Sequence, residues 1–125
     1  MTVVINQDGE FASHWGMRDF SIMPDKEKAL RLIRALTSLY ESGGKKYLLG
    51  GRMIASPKVE CESVSMPAKE ARRTLVLPAI LWSAWEAEDR SRALILVNPH
   101  DEDKQCRVGD STITIPALSG IIAEI

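Results

Sequence analysis

Two apolar runs of strand length dominate the hydrophobic pattern of this chain. One extends from Leu75 to Trp85, the other from Ala93 to Asn98, and the segment between them is charged. Two such runs joined by a polar connection are typical of a β-hairpin, whose tip would lie at residues 86–92. Because both runs are almost continuously apolar, we expect both faces of each strand to be covered. The pattern therefore predicts that this hairpin is the centre of a packed sheet.

Shorter segments with one polar face occupy much of the rest of the chain after residue 58. Apolar and polar residues alternate in several of them, at 59–63, 105–108, 112–115 and 121–125. Alternation of this kind is typical of strands that bury one face, and turn-forming residues separate the segments. Residues 59–125 therefore predict about six strands arranged as an antiparallel β-sandwich.

One segment before the sandwich has the period of a helix. Its apolar residues recur three or four positions apart, at Ala29, Ile33, Leu36 and Tyr40. Pro24 suits the first turn of a helix, and Gly43 and Gly44 provide an end. We therefore predict one amphipathic α-helix from Pro24 to Tyr40, so that the fold class is mostly β, with an antiparallel β-sandwich preceded by this helix.

The remaining segments complete a three-part organisation. Residues 1–23 have no sustained period and predict an irregular lead-in, which Trp15 is large enough to dock onto the domain. Residues 24–58 hold the helix and a glycine-rich junction, where Gly50 and Gly51 indicate a bend or a close approach of two backbones. Residues 59–125 form the predicted sandwich.

The charge balance and the hydropathy pattern exclude several kinds of partner. The chain has 16 Lys and Arg against 17 Asp and Glu, so it lacks the basic field that holds nucleic acid. No apolar run approaches the roughly 20 residues that span a bilayer, and the first residues do not resemble an export signal. We expect a soluble chain, cytoplasmic if it is the full product, with neither nucleic acid nor a membrane as a partner.

The cysteines and histidines do not form a metal motif. Cys61 and Cys106 lie far apart in sequence, and His14 and His100 are not at ligand spacing from them. Two reduced thiols in strands and one disulfide across the sheet both fit the pattern. Gly50 also lacks the downstream residues of a phosphate-binding loop. We therefore predict no metal and no cofactor.

The acidic residues do not form an evident catalytic pair. Glycoside hydrolysis requires two carboxylates about 5–9.5 Å apart on rigid elements. There are three candidate groups. A predicted turn holds Asp101, Glu102 and Asp103, and the predicted hairpin tip holds Glu86, Glu88 and Asp89. A polar strand face holds Glu60 and Glu62. Solvation and edge protection explain such positions, so we predict no catalytic residue.

Tryptophan residues raise the one alternative that involves a ligand. Aromatic rings exposed on a β-sandwich can stack against sugar rings, and Trp82, Trp85 and Trp15 are the candidates. Trp82 and Trp85 are three positions apart, so on a regular strand they point to opposite faces and cannot form one flat platform without a bulge. Packing is the preferred interpretation, and a carbohydrate-binding module is the alternative.

The order of the elements, together with several short motifs, resembles a known family. A helix that ends in Leu-Tyr-Glu-Ser is followed by the passage Tyr47–Ile54, then by Pro-Ala-Ile-Leu-Trp-Ser-Ala-Trp, and then by Ala-Leu-Ile-Leu-Val-Asn-Pro. This order, over about residues 24–125, resembles the C-terminal part of barrel-type glycoside hydrolases of the α-galactosidase-like kind. In that family the last helix of a (β/α)8 barrel leads into an antiparallel β-sandwich.

The resemblance implies a domain without catalytic activity of its own. The catalytic carboxylates of the family sit at the ends of barrel strands, and this chain contains no barrel. The resemblance therefore implies an accessory or structural domain and no enzyme. A helix and a passage that normally lie against a barrel would expose apolar surface without it, so the expected partner is a second copy of the chain or a missing barrel domain.

Overall fold

The computed structural model describes residues 3–5, 11–13, 25–68 and 73–125. Its helical part consists of α1 (Lys26–Leu39), a π-helical turn (Tyr40–Gly44) and α2 (Lys45–Leu48). The strands in chain order are β1 (Val3–Ile5), β2 (Phe11–Ser13), β3 (Arg52–Ile54), β4 (Val59–Cys61), β5 (Ser63–Ala68), β6 (Arg73–Pro78), β7 (Leu81–Glu86), β8 (Arg92–Asn98), β9 (Lys104–Val108), β10 (Ser111–Ile115) and β11 (Ser119–Glu124).

Antiparallel sheets form the main body. One sheet has four strands in the order β11-β8-β7-β3, and a second has three in the order β10-β9-β4. β5 pairs only with β6, and β1 pairs only with β2, among the described strands. All of these pairings are antiparallel. The predicted fold class, a mostly β antiparallel sandwich preceded by one amphipathic helix, is confirmed.

The core lies between the four-stranded and the three-stranded sheets. Its buried residues come from both sheets and from the turn before β7: Ile80, Ala84, Leu94, Leu96, Cys106 and Ile115. On β8, Leu94 and Leu96 face this core, while Ile95, only 6% exposed, faces the other way. β8 is therefore covered on both faces, which explains its continuous apolar run.

Helix α1 covers the outer face of the four-stranded sheet. The side chains of Leu36 and Leu39 pack directly on Gly120 of β11. A β-carbon on Gly120 would lie 3.1–3.2 Å from the nearest methyl groups of these two leucines. After the kink at Gly43, Tyr47 of α2 packs with Ala93 on the same face of the sheet. The apolar stripe predicted for this helix is thus the side that packs, and Tyr40 at its end is buried.

The glycine-rich junction brings two backbones together. A β-carbon on Gly51 would lie 2.3 Å from the carbonyl oxygen of Tyr47 and 2.8 Å from that of Glu86. The first half of the apolar run Tyr47–Ile54 is helical, whereas its second half is strand β3, which pairs with β7. The predicted close approach is confirmed, and the reason is the sharp change from helix to strand at Gly50 and Gly51.

The first apolar run differs from its prediction. Instead of one strand from Leu75 to Trp85, the chain forms β6 and β7, separated by the buried residues Ala79 and Ile80. Every residue of β6 is exposed, so the expectation that both its faces are covered is wrong. Pro78 lacks a backbone N–H, so it ends the ladder, and the next amide, that of Ala79, donates to the Glu62 carbonyl at 2.8 Å.

The second half of the predicted central hairpin is confirmed. β7 and β8 pair from Leu81 opposite Val97 to Glu86 opposite Arg92, and the connection between them is the charged tip. At the other end of β8 the fully buried Asn98 amide donates to the carbonyls of Glu102, Ile115 and Pro116 at 2.8–3.1 Å. This side chain ties the turn after β8 to the end of β10.

Candidate functional site

Trp82 and Trp85, two of the three candidate tryptophans, lie on opposite faces of strand β7. β7 pairs with β8 in a regular register without a bulge, so residues three apart point to opposite sides. Trp82 packs against the core between the sheets, and Trp85 packs with Tyr47 and Ala93 on the helix side. Both rings are half-buried. Trp15 lies outside the described residues, and the two described tryptophans are on opposite faces of β7.

The indole of Trp85 is engaged within its own strand. Its Nε1 donates a hydrogen bond to the Ser83 hydroxyl at 2.8 Å. A partly buried indole N–H needs such a partner, and a sugar hydroxyl would have to replace this one. The position of Trp85 is therefore explained by packing and by this hydrogen bond.

Glu86, which the sequence predicts to be a solvated acid of the hairpin tip, instead lies in a charged and largely buried corner beside the tip, so this prediction is wrong. Glu86 is only 4% exposed, although it carries a charge. Its Oε1 accepts from Arg52 Nη2 at 2.6 Å, and its Oε2 accepts from Arg92 Nε at 2.8 Å. The hydrogen bonds from Arg52, and then those from Arg92, hold the pKa of Glu86 below its ordinary range. The carboxylate therefore stays ionised and ties β3, β7 and β8 together.

The same corner contains a cleft of about 380 Å³. Its lining includes Gly50, Gly51, Arg52, Glu86, Glu88 and Arg90. In this cleft the two arginine partners keep Glu86 ionised, so this carboxylate is not poised to act as a general acid. A predicted hairpin already places Glu86 opposite Arg92, so half of this cluster could be derived from the sequence. Arg52 could not, because it comes from β3.

Three more of the candidate acids, Glu60, Glu62 and Asp101, are also held by cations. Hydrogen bonds from Lys58 and Arg107 lower the pKa of Glu60, and one from Lys104 lowers the pKa of Glu62. In the same way Lys28 lowers the pKa of Asp101. A general acid needs a carboxyl with a raised pKa, kept neutral by burial or by a second carboxylate. None of these groups has that environment.

The hairpin of β5 and β6, which we call the arm, has an amphipathic arrangement. Val64 stands opposite Leu77, and Leu75 lies two residues away on the same face of the ribbon. Ser65 and Thr74 belong to the opposite face, together with Val76. The exposed fractions of Leu75, Val76 and Leu77 are 37%, 65% and 41%. Sheets that carry an apolar face normally bury it, so this ribbon is the clearest candidate for an interaction surface.

The cysteines are the last candidates. Both thiols are free, Cys61 half-buried on β4 and Cys106 buried on β9. Within the described ranges no group of three or more His, Cys, Asp or Glu side chains is placed to hold a metal ion. His100 is half-buried beside the Asn98 amide, and His14 lies outside the described residues.

These features define a class, a small antiparallel β-sandwich with a helix on one outer face and an arm that pairs with neither sheet among the described strands. No family model, no curated protein and no solved structure matches the chain. The resemblance to α-galactosidase-like glycoside hydrolases thus stays a prediction. In the described part of the chain, no helix is long and apolar enough to cross a membrane.

Proposed function

We propose that this chain is a non-catalytic structural and interaction domain, and that its arm packs against the arm of a second copy. The observation that carries the proposal is the arm itself, a two-stranded ribbon with an apolar face and no further strand partner among the described residues. Two-stranded ribbons are at best marginally stable in water unless something packs on them. A second copy would supply that cover.

The chemistry of the arm favours self-association over a strongly charged partner. The face of Val64, Leu75 and Leu77 is apolar, and the net charge of the whole chain is only −1, so two copies repel each other weakly. Two identical ribbons related by a two-fold axis can present the same face to each other. Among the described strands none pairs with either outer backbone edge of the ribbon, and such edges can accept a further strand.

The experiment is multi-angle light scattering on wild type and two variants over a range of concentrations. We expect wild type to dimerise with rising concentration. Leu77→Glu puts a charge on the apolar face and removes a contact whose burial stabilises by about 1.5–3 kcal/mol, so it should weaken the dimer at least tenfold. Thr74→Glu, on the opposite face of the ribbon, should leave the dimer intact.

Two outcomes would contradict the proposal. One is a wild-type chain that remains monomeric at every concentration, and the other is equal weakening by both substitutions. Circular dichroism of each variant establishes that the sandwich is folded, because Leu77 and Thr74 are both exposed and lie outside the core.

The ancestry of the domain is a further part of this proposal. We propose that it derives from the C-terminal sandwich of a glycoside hydrolase, separated from its catalytic barrel. The order helix, glycine-rich passage and antiparallel sandwich supports this origin. The alternative, a carbohydrate-binding module, is the weaker hypothesis, because Trp82 and Trp85 lie on opposite faces of β7.

A further inference from the structure

Two cysteines distant in sequence are direct neighbours across a pair of strands. β4 pairs with β9 so that Cys61 stands opposite Cys106. The adjacent pair, Glu60 and Arg107, forms an ion pair on the other face of the sheet. Since side chains alternate along strands, both thiols project to the core face, and both contact the same apolar cluster.

The spacing of opposite residues in an antiparallel pair suits a disulfide. Their α-carbons are about 4.5–5.5 Å apart, within the range of about 4.4–6.8 Å found in disulfides. Their β-carbons are about 4.5–5.5 Å apart, whereas a disulfide holds them at about 3.5–4.5 Å. For residues in this arrangement, closing the bond needs the β-carbons to approach by about 1 Å. β4 can make this shift because, in the part of the chain that the structure describes, it is an edge strand with β9 as its one partner.

We propose that Cys61 and Cys106 form a reversible thiol–disulfide pair, which closes within one chain when it reacts with a low-molecular-weight disulfide such as oxidised glutathione. The disulfide would fix edge strand β4 to β9. The arm follows β4 directly, because only Glu62 separates Cys61 from the first residue of β5. The proposal does not depend on the function proposed for the arm.

The reaction occurs in two exchange steps. The Cys61 thiolate attacks one sulfur of oxidised glutathione, which forms a mixed disulfide and releases one glutathione thiolate. The Cys106 thiolate then attacks the Cys61 sulfur and releases the second glutathione. The two protein thiols lose two electrons and two protons, and the glutathione disulfide gains both and becomes two thiols.

The surroundings of the two thiols determine which one attacks first. Cys106 is 2% exposed, and its burial, followed by the proximity of Cys61, raises the pKa of its thiol. Cys61 is half-buried on the edge strand. Because the thiolate is the reacting form and needs access to the reagent, Cys61 is the first nucleophile and Cys106 resolves the mixed disulfide.

The test exposes the folded chain to oxidised glutathione and follows the products by intact mass, with Cys61→Ser and Cys106→Ser as matched variants. Wild type should lose two hydrogens, both free thiols should disappear, and no glutathione should remain attached. Cys106→Ser should stop at an adduct with one glutathione. Cys61→Ser should react at least tenfold more slowly than Cys106→Ser.

A second measurement does not depend on the variants. Urea unfolding of the oxidised chain should have a higher midpoint than that of the reduced chain, because the bond restricts the unfolded state, and dithiothreitol should reverse the shift. The proposal is overturned if wild type retains both thiols or retains glutathione. It is also overturned if wild type joins two chains, or if the oxidised chain has a lower urea midpoint than the reduced chain.

Discussion

Gly51 is the residue whose identity the backbone constrains most directly. The chain leaves helix α2 and enters strand β3 within a few residues, and the Gly51 amide donates to the Tyr47 carbonyl at 3.0 Å. The Gly51 α-carbon lies close to that oxygen and to the Glu86 carbonyl oxygen. Even a methyl group on it would overlap both oxygens. Neither oxygen can rotate away, because both belong to the backbone.

We therefore expect Gly51→Ala to lower the free energy of unfolding by about 1–3 kcal/mol or more, as overpacking does. Gly50→Ala is the matched control, because a β-carbon there would meet only the flexible Glu88 side chain at 3.5 Å. Urea unfolding of both variants measures the difference. Equal stability of the two variants would mean that the junction can move apart without cost.

At the scale of the element, strand β8 has the most complete burial. Leu94 and Leu96 are fully buried in the core between the sheets, and Ile95 is covered on the opposite side of the four-stranded sheet. On that side Ile122 of β11 stands opposite Ile95, and α1 packs against β11. The stability of the strand therefore rests on two separate layers.

Ile95→Ala and Leu96→Ala should each cost about 2–5 kcal/mol, through lost transfer free energy and the cavity left behind. Against a total that is typically about 5–15 kcal/mol, either change approaches unfolding. Glu88→Ala, in the exposed tip, should change stability by less than about 0.5 kcal/mol. Chemical denaturation compares the three. If Ile95→Ala leaves the free energy of unfolding unchanged while Leu96→Ala lowers it strongly, the outer layer contributes little to stability.

Across the whole molecule, ion pairs connect elements that are distant in sequence. Lys28 of α1 contacts Asp101 after β8, Lys46 of α2 contacts Asp89 in the tip, and Glu86 joins two arginines from different strands. The hydrogen bond from Lys46, with those from Ser91, holds the pKa of Asp89 far below its usual range. The pKa shifts of these carboxylates all have the same sign.

This sign predicts that the fold weakens in acid. A carboxylate whose pKa is lowered by folding stabilises the folded state fully above its ordinary pKa, 4.5 for Glu86. That contribution is lost as the pH falls through the lower, folded value. The urea midpoint of wild type should therefore decrease progressively below about pH 4.5.

Glu86→Gln tests the share of one residue in this dependence. It should lower the urea midpoint at neutral pH, because two guanidinium groups lose their charged partner, and the gap to wild type should narrow in acid. Glu88→Gln, in the same cleft but exposed, is the control and should follow wild type. A constant gap for Glu86→Gln across this pH range would refute the role assigned to its charge.

Features that depend on period and on local chemistry could be predicted from the sequence alone. The spacing of Ala29, Ile33 and Leu36 defines the packing side of α1, because the helix repeat places them on one face. The apolar run of β8 indicated a strand covered on both faces, and the spacing of Trp82 and Trp85 placed them on opposite faces. These properties follow from the periodicity of a single helix or strand. That periodicity depends only on residues that are close in sequence.

Which segments contact each other could not be predicted from the sequence. An apolar run such as Leu75–Trp85 does not reveal which strand it pairs with. The exposure of β6 follows from its pairing with β5, which the sequence pattern does not indicate. The Glu86 cluster needs Arg52 from β3, and the cysteine pair needs the register of β4 against β9. Strand pairing joins residues far apart in sequence, and hydrophobic patterning constrains which face is buried but does not identify the partner strand.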